Sequence, residues 1–120
     1  MFDRIQGSLE KTARRHPLYE PAVSPKSMYE GVRDIIPETL SCGEGWLMAA
    51  EIDHYARMGV KSFVILQPFG CLPNHICGRG VIRKLKDRYP DIQILPLDLD
   101  PDTSFANVEN RLQMMIMGKT

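Results

Sequence analysis

The chain has 120 residues, of which 43% are hydrophobic and 25% are charged, a composition that is ordinary for one soluble globular domain. Fifteen basic and fifteen acidic residues give a net charge of zero, so no overall field favours nucleic acid or an anionic membrane. No apolar stretch approaches the roughly 18 residues that a spanning helix needs, and the first residues contain no apolar signal region. We therefore expect a cytoplasmic protein with no nucleic-acid partner and no membrane partner.

Residues 1–37 are predicted to form a helical arm and a proline-containing connector. Apolar residues at helical spacing predict a first helix over 2–15. Three prolines then break the pattern, which predicts an extended connector over 16–26. Ser27 is expected to cap a short helix that ends at Ile36.

From residue 38 onward the predicted strands and helices alternate. The predicted strands are residues 38–41, 61–67 and 92–97, and the predicted helices are 45–58, 79–89 and a last helix that begins at Thr103 or Ser104. Such alternation is typical of parallel strands joined by crossover helices. We expect residues 38–120 to form an α/β domain with a short parallel sheet of about three strands and flanking helices, resembling half of a Rossmann fold.

The last predicted helix has an apolar stripe at helical spacing. We expect this stripe to be buried on the sheet or in a subunit contact; its residues are Phe105, Val108, Leu112, Met115 and Ile116.

The segment 67–80 contains two cysteines, one histidine, three glycines and two prolines, and the sequence predicts a strand-to-helix loop there. In a parallel sheet such loops emerge at one edge, where α/β proteins bind ligands. The candidate site residues follow the three predicted strands in turn: Cys42 after the first, Cys71, Asn74, His75 and Cys77 after the second, and Asp98, Asp100 and Asp102 after the third.

Thiolates that converge from separate loops suit an iron–sulfur cluster or a zinc ion, with His75 as an alternative ligand and Asn74 in a supporting position. The spacing of Cys71 and Cys77 matches no standard metal motif, and Cys77 can also be interpreted as a small buried apolar residue. A nucleophile pair of Cys71 with His75 or His54 is an enzymatic alternative.

Two further groups allow a binding or a structural interpretation. Gly78, Arg79 and Gly80 lie at a predicted helix start, where free N–H groups bind anions or simply begin the helix. The three aspartates after the third strand suit a divalent ion, but a turn with helix-capping acids explains them better.

Several segments together resemble one known family. These are Gly43-Glu44-Gly45-Trp46-Leu47, the run Gln67-Pro68-Phe69-Gly70-Cys71-Leu72-Pro73-Asn74-His75, the pair Gly78 and Gly80, and Asp98-x-Asp100-Pro101-Asp102 with Asn107, Asn110 and Arg111. They are similar to the C-terminal region of the large proteins related to 2-hydroxyacyl-CoA dehydratase activators. The resemblance runs from about residue 38 to 117 and is most specific in the segment around Cys71.

The resemblance implies a role in electron transfer. Large members of that family join an activator-like ATPase part to a part like the dehydratase, which binds a [4Fe–4S] cluster through cysteines at the ends of parallel strands. By this resemblance Cys71 is a cluster ligand, whereas Cys77 and Cys42 match the family less securely. The chain lacks the phosphate-binding glycine motif of the activator, so we expect that it is not the ATPase. We also expect no catalysis by this chain alone.

The expected partners follow from the small number of ligands. Two or three thiolates cannot close a four-ligand site, so a second copy, a dehydratase- or activator-type protein or a small molecule would supply the others. A non-catalytic interaction domain with structural cysteines and a zinc-binding domain are the alternatives.

Overall fold

The computed structural model describes residues 2–21, 23–37 and 45–118. This part of the chain contains five α-helices and two β-strands. The helices are α1 (Phe2–Ala13), α2 (Pro25–Val32), α3 (Gly45–Arg57), α4 (Ile82–Arg88) and α5 (Phe105–Met117), and the strands are β1 (Ser62–Pro68) and β2 (Gln93–Leu99). A π-helical turn, Asn74–Gly78, lies between β1 and α4.

The two strands pair in parallel, with Val64 beside Leu95 and Leu66 beside Leu97. Both strands come from short apolar runs rich in β-branched and aliphatic residues, which suit a pleated surface buried between helices. The predicted parallel pairing is therefore confirmed, and the mixed α/β class with it. The first of the three predicted strands, residues 38–41, falls outside the described residues, and the described part of the chain has a sheet of two strands.

Side chains on the two faces of β1 have different surroundings because successive residues of a strand point to opposite faces. Ile65 is buried in the main core, whereas Val64 and Leu66 on the opposite face are exposed. The main core is formed by residues from α2, α3, α4, the π-helical turn and both strands, and from the segments directly next to α2, α4 and β2. These residues are Val32, Ile35, Ile36, Ala49, Ala50, Ile52, Ile65, Cys77, Val81, Leu85, Ile92 and Ile94.

The second helix begins earlier than predicted. Ser24, not Ser27, is its N-cap, and the Ser24 side chain accepts a hydrogen bond from the Ser27 N–H. Pro25, which was assigned to the connector, is a residue of the first turn, where the missing N–H and the fixed φ of proline fit a helix. The helix and the turn after it belong to the main core, whereas Ile5 and Leu9 of α1 are exposed.

A buried carboxylate connects α2, α3 and α4. Asp53 of α3 is 2% exposed and forms ion pairs with Arg57 and Arg88, both at 2.8 Å. Arg88 also binds Asp34, and this hydrogen bond holds the pKa of the Asp34 carboxyl below its ordinary value. Gly31 permits the close approach of α2, because a Cβ there would lie 2.8 Å from Asp53 Oδ2. We call Asp53, Arg57 and Arg88 the Asp53 cluster.

The α5 stripe is not buried on the sheet, so that alternative of the prediction is wrong, whereas burial in a subunit contact stays a prediction. No residue of α5 is buried, and Phe105 and Ile116 are 81% and 67% exposed. The helix packs against β2 and is tied to it by a hydrogen bond of 2.7 Å from Arg111 to the Pro96 carbonyl oxygen. Because α5 lies on β2 while the same face of β1 stays exposed, its remaining stripe residues are at most half-buried.

Replacement of Leu112 by alanine tests this partial burial. Leu112 is half-buried, so its truncation should lower the free energy of unfolding by about 1 kcal/mol, below the 2–5 kcal/mol typical of enclosed leucines. Urea unfolding of both proteins measures the difference. A loss above about 2 kcal/mol would indicate that the helix face is enclosed in solution, for example by a second chain.

Candidate functional site

Cys71 lies in a tight turn where β1 ends. Phe69 continues the ladder, since its N–H donates to the carbonyl oxygen of Leu99, and the N–H of Cys71 donates to that of Pro68 at 3.0 Å. Gly70 between them has a φ of +74°, a conformation that glycine adopts without a steric cost. The turn leaves Cys71 half-buried and free of any disulfide.

The helical structure after this turn begins at residue 72, seven residues before the predicted start at residue 79. Residues 72 and 73 are helical, the π-helical turn follows directly, and α4 completes the stretch. The segment predicted as a long loop is therefore a turn of three residues followed by helix. Pro73 did not prevent this, because proline is tolerated in the first turn of a helix.

The thiol of Cys71 is contacted by a neighbouring amide. Asn74 Nδ2 donates a hydrogen bond to Cys71 Sγ at 2.9 Å, and Asn74 itself is 7% exposed. Sulfur ligands in iron–sulfur proteins are commonly held by N–H donors of this kind. The sequence interpretation that gave Asn74 a supporting role is therefore consistent with this contact.

His75 and Arg79 meet Asp98 from the end of the other strand. His75 Nδ1 lies 2.8 Å from the carbonyl oxygen of Cys71, and because that oxygen can only accept, Nδ1 carries the hydrogen. His75 Nε2 lies 3.5 Å from Asp98 Oδ1, and Arg79 donates to Asp98 Oδ2 at 3.0 Å. The parallel topology thus brings together side chains from two separate segments, as predicted. The histidine contacts the Cys71 backbone and not its sulfur, which does not support a nucleophile pair.

The two described cysteines lie in different surroundings. Cys77 is 8% exposed and belongs to the main core, where it packs as a small apolar residue. It is therefore poorly placed to bind the same metal ion or cluster as Cys71, which is half-buried at the sheet edge. Cys42, the other predicted ligand, lies outside the described residues.

Gly78, Arg79 and Gly80 lie within the helical stretch and not at its start. The N–H of Arg79 donates to the carbonyl oxygens of Asn74 and Ile76, and its guanidinium group pairs with Asp98. Anion binding by these residues stays a prediction, but the helix start on which it was based lies at residue 72.

The aspartates after β2 form a turn. Asp100 Oδ1 accepts the N–H of Asp102, and the Asp100 N–H donates to Thr103 Oγ1, both at 2.9 Å. In the described ranges no group of three or more His, Cys, Asp and Glu side chains is placed to hold a metal ion. A metal centre that used Cys71 would therefore need ligands from outside these ranges.

Apolar side chains are exposed beside Cys71. Phe69, Leu72 and Ile76 are 81%, 67% and 53% exposed, although each is large and apolar. An open groove of about 530 Å³ runs along β1 beside α3 and reaches Asn74. Its lining is mostly apolar and includes Leu47 and Tyr55. Exposed apolar surface of this kind is typical of contact with another macromolecule.

Sequence reasoning missed one polar residue of the site. Gln67 is fully buried at the end of β1, and its Nε2 donates to the carbonyl oxygen of Asn74 at 3.0 Å. A signal was available, because Gln67 is a polar residue at an inward-facing position that follows Phe63 and Ile65 at a period of two.

Comparisons of the chain with protein-family models, with curated proteins and with solved structures returned no match. Among the residues the structure describes, no helix is long and apolar enough to cross a membrane.

Proposed function

We propose that this chain is an α/β domain that presents the Cys71 thiolate as one ligand of an iron–sulfur site serving electron transfer. The observation that carries the proposal is the half-buried thiol at the carboxyl edge of a parallel sheet, held by the Asn74 amide at 2.9 Å. The resemblance of the surrounding segment to the dehydratase-like part of activator-related proteins supports the same role. On its own the chain is proposed to catalyse no reaction.

The remaining ligands are proposed to come from a second polypeptide or from a second copy of the chain. The described residues offer one suitably exposed thiol, since Cys77 is in the main core. The exposed side chains of Phe69, Leu72 and Ile76 beside Cys71 would be buried when such a partner docks. A cluster bound there would supply one-electron transfer, while Cys71 and Asn74 hold it and the apolar side chains exclude water.

Anaerobic reconstitution tests the proposal. Purified protein is incubated with ferric iron, sulfide and excess glutathione, whose thiol reduces part of the iron and can fill the remaining coordination positions. We expect bound iron and sulfide in equal amounts, together with visible absorption, because a thiolate site stabilises the cluster. Replacement of Cys71 by serine should abolish the incorporation.

The matched control is Cys77→Ala, which removes the buried thiol and should leave incorporation unchanged. Equal iron and sulfide in the wild-type and Cys71→Ser proteins would contradict the proposal. Size-exclusion chromatography of the reconstituted protein then tells whether a second copy completes the site, because the bridged form has twice the mass.

A non-catalytic interaction domain is the second candidate. Burial of Cys77 among apolar side chains and the exposed apolar surface beside Cys71 favour it, because neither needs a metal. The reconstitution separates the candidates, since an interaction domain binds neither iron nor zinc. Binding of one zinc ion per chain that is lost in Cys71→Ser would instead favour a zinc-binding domain.

A further inference from the structure

Gln67 of β1 is a fully buried polar residue. Its side chain is 0% exposed, its Nε2 donates to the Asn74 carbonyl oxygen at 3.0 Å, and its Oε1 has no partner in the described part of the chain. A buried amide oxygen without a partner is costly, and an apolar residue of similar size would avoid that cost. The bond that Gln67 does form is therefore the feature to explain.

That bond is directed at the π-helical turn. The carbonyl oxygen of Asn74 also accepts the N–H of Arg79, five residues later, which is the hydrogen bond that defines a π-helix. Such turns are rare and occur frequently at functional sites. Gln67 thus holds the first residue of the turn from the strand side, while Arg79 holds the same oxygen from the helix side.

The side chain of the same asparagine contacts the thiol. Asn74 Nδ2 donates to Cys71 Sγ at 2.9 Å, so its backbone and side chain bind two different partners. With its carbonyl oxygen fixed by Gln67, the backbone of Asn74 cannot rotate freely. Its amide group is consequently aimed at the sulfur.

We infer that Gln67 is a positioning residue for Cys71, acting through Asn74. The inference rests on the proposed role of Cys71, but it concerns the metal-free protein and is tested there. Without Gln67 the chain should still fold, while the amide of Asn74 no longer stays on the sulfur.

Solvent exchange of the Asn74 side-chain amide protons, measured by NMR on the metal-free protein, tests the inference. Cys71→Ala should speed this exchange about fivefold, the factor expected for loss of one hydrogen bond. Gln67→Met keeps the volume but removes the donor, and it should speed the exchange by a similar factor. This is expected although Gln67 does not touch the Asn74 side chain.

Gln93→Met is the matched control. Gln93 begins the other strand, and its Nε2 also donates to a backbone carbonyl oxygen, that of Gly118 at 3.1 Å. Its replacement should leave the exchange of the Asn74 amide at the wild-type rate. The alkylation rate of the buried Cys77 thiol reports the opening of the core and should be equal in all these proteins.

Three results would overturn the inference. The first is that the Asn74 side-chain amide protons exchange in Gln67→Met at the same rate as in the wild-type protein. The second is that they do so in Cys71→Ala. The third needs no variant: the Gln67 side-chain amide protons of the wild-type protein exchange as fast as those of an exposed glutamine. None of these results bears on iron incorporation, so failure here is distinguishable from failure of the proposed function.

Discussion

Replacement of Arg88 by methionine should lower the free energy of unfolding by about 3 kcal/mol, the lower end of the range for breaking a buried ion pair. Arg88 near the end of α4 donates to Asp53 Oδ1 and to the carbonyl oxygen of Gly31, both at 2.8 Å. Methionine keeps most of the apolar stem but donates no hydrogen bond. The carboxylate of Asp53, 2% exposed, would lose its more buried partner.

The other partners of Asp53 explain why the loss of unfolding free energy in Arg88→Met stays at the lower end of that range. Asp53 keeps two partners in the variant, because Arg57 binds its Oδ2 and the Tyr89 hydroxyl donates to its Oδ1, both at 2.8 Å. The hydrogen bond to Asp34 raises the pKa of Arg88, so the guanidinium is charged at every accessible pH. Asp34, whose pKa is lowered, contributes its stabilisation above its ordinary pKa and loses it as the pH falls through the folded value.

The control is Arg57→Met, which removes the other guanidinium from the same carboxylate. The side chain of Arg57 is 55% exposed, against 23% for Arg88, so water screens its ion pair and the loss should be about 1 kcal/mol or less. Urea unfolding followed by circular dichroism measures all three proteins. Equal losses for the two variants would show that burial of the guanidinium does not decide the strength of the pair.

The sheet could be predicted from the sequence because its strands are short apolar runs separated by helical patterns. The runs around Val64 and Leu95 pair in parallel as expected, with boundaries that differ by one or two residues. Parallel pairing also predicts that the segments after the two strands meet, and His75 and Arg79 do meet Asp98. These conclusions need only periodicity and topology.

The helix starts were predicted too late for one physical reason. Pro25 was interpreted as a residue that breaks a helix and Pro73 as part of a loop, but both lie in the first turn of a helix, where no hydrogen bond is lost. The second error had a consequence for the site. A predicted loop does not determine which of its side chains point inward. The helical turn does, and it places Cys77 in the main core and leaves Cys71 at the edge of the sheet.

Asp53 and the burial of α5 could not be predicted because they depend on tertiary packing. Nothing local distinguishes Asp53 from the exposed Glu51 two residues earlier, and its partner Arg88 is 35 residues away. The stripe on α5 has the periodicity of a buried face. The burial of this stripe depends on the width of the sheet beneath α5, and the periodicity of the sequence contains no information about that width.

Replacement of Ile36 by alanine should lower the free energy of unfolding by about 2–5 kcal/mol, the range measured for large aliphatic residues in enclosed sites. Ile36 follows α2 in the part of the chain that was predicted to be an arm and connector. It is 0% exposed and belongs to the main core together with Val32 and Leu85. Truncation removes its apolar contacts and leaves a cavity that the neighbouring helices fill only partly.

The matched control is Ile116→Ala on α5, which makes the same chemical change at a side chain that is 67% exposed. Its cost should stay within about 0.5 kcal/mol, as for most surface substitutions. A fragment that starts at residue 23, and so keeps the Ser24 cap of α2, should unfold at the same urea concentration as the full chain if α1 contributes no packing, since Ile5 and Leu9 are exposed. Equal costs for Ile36→Ala and Ile116→Ala would mean that the segment after α2 is not packed in the core in solution.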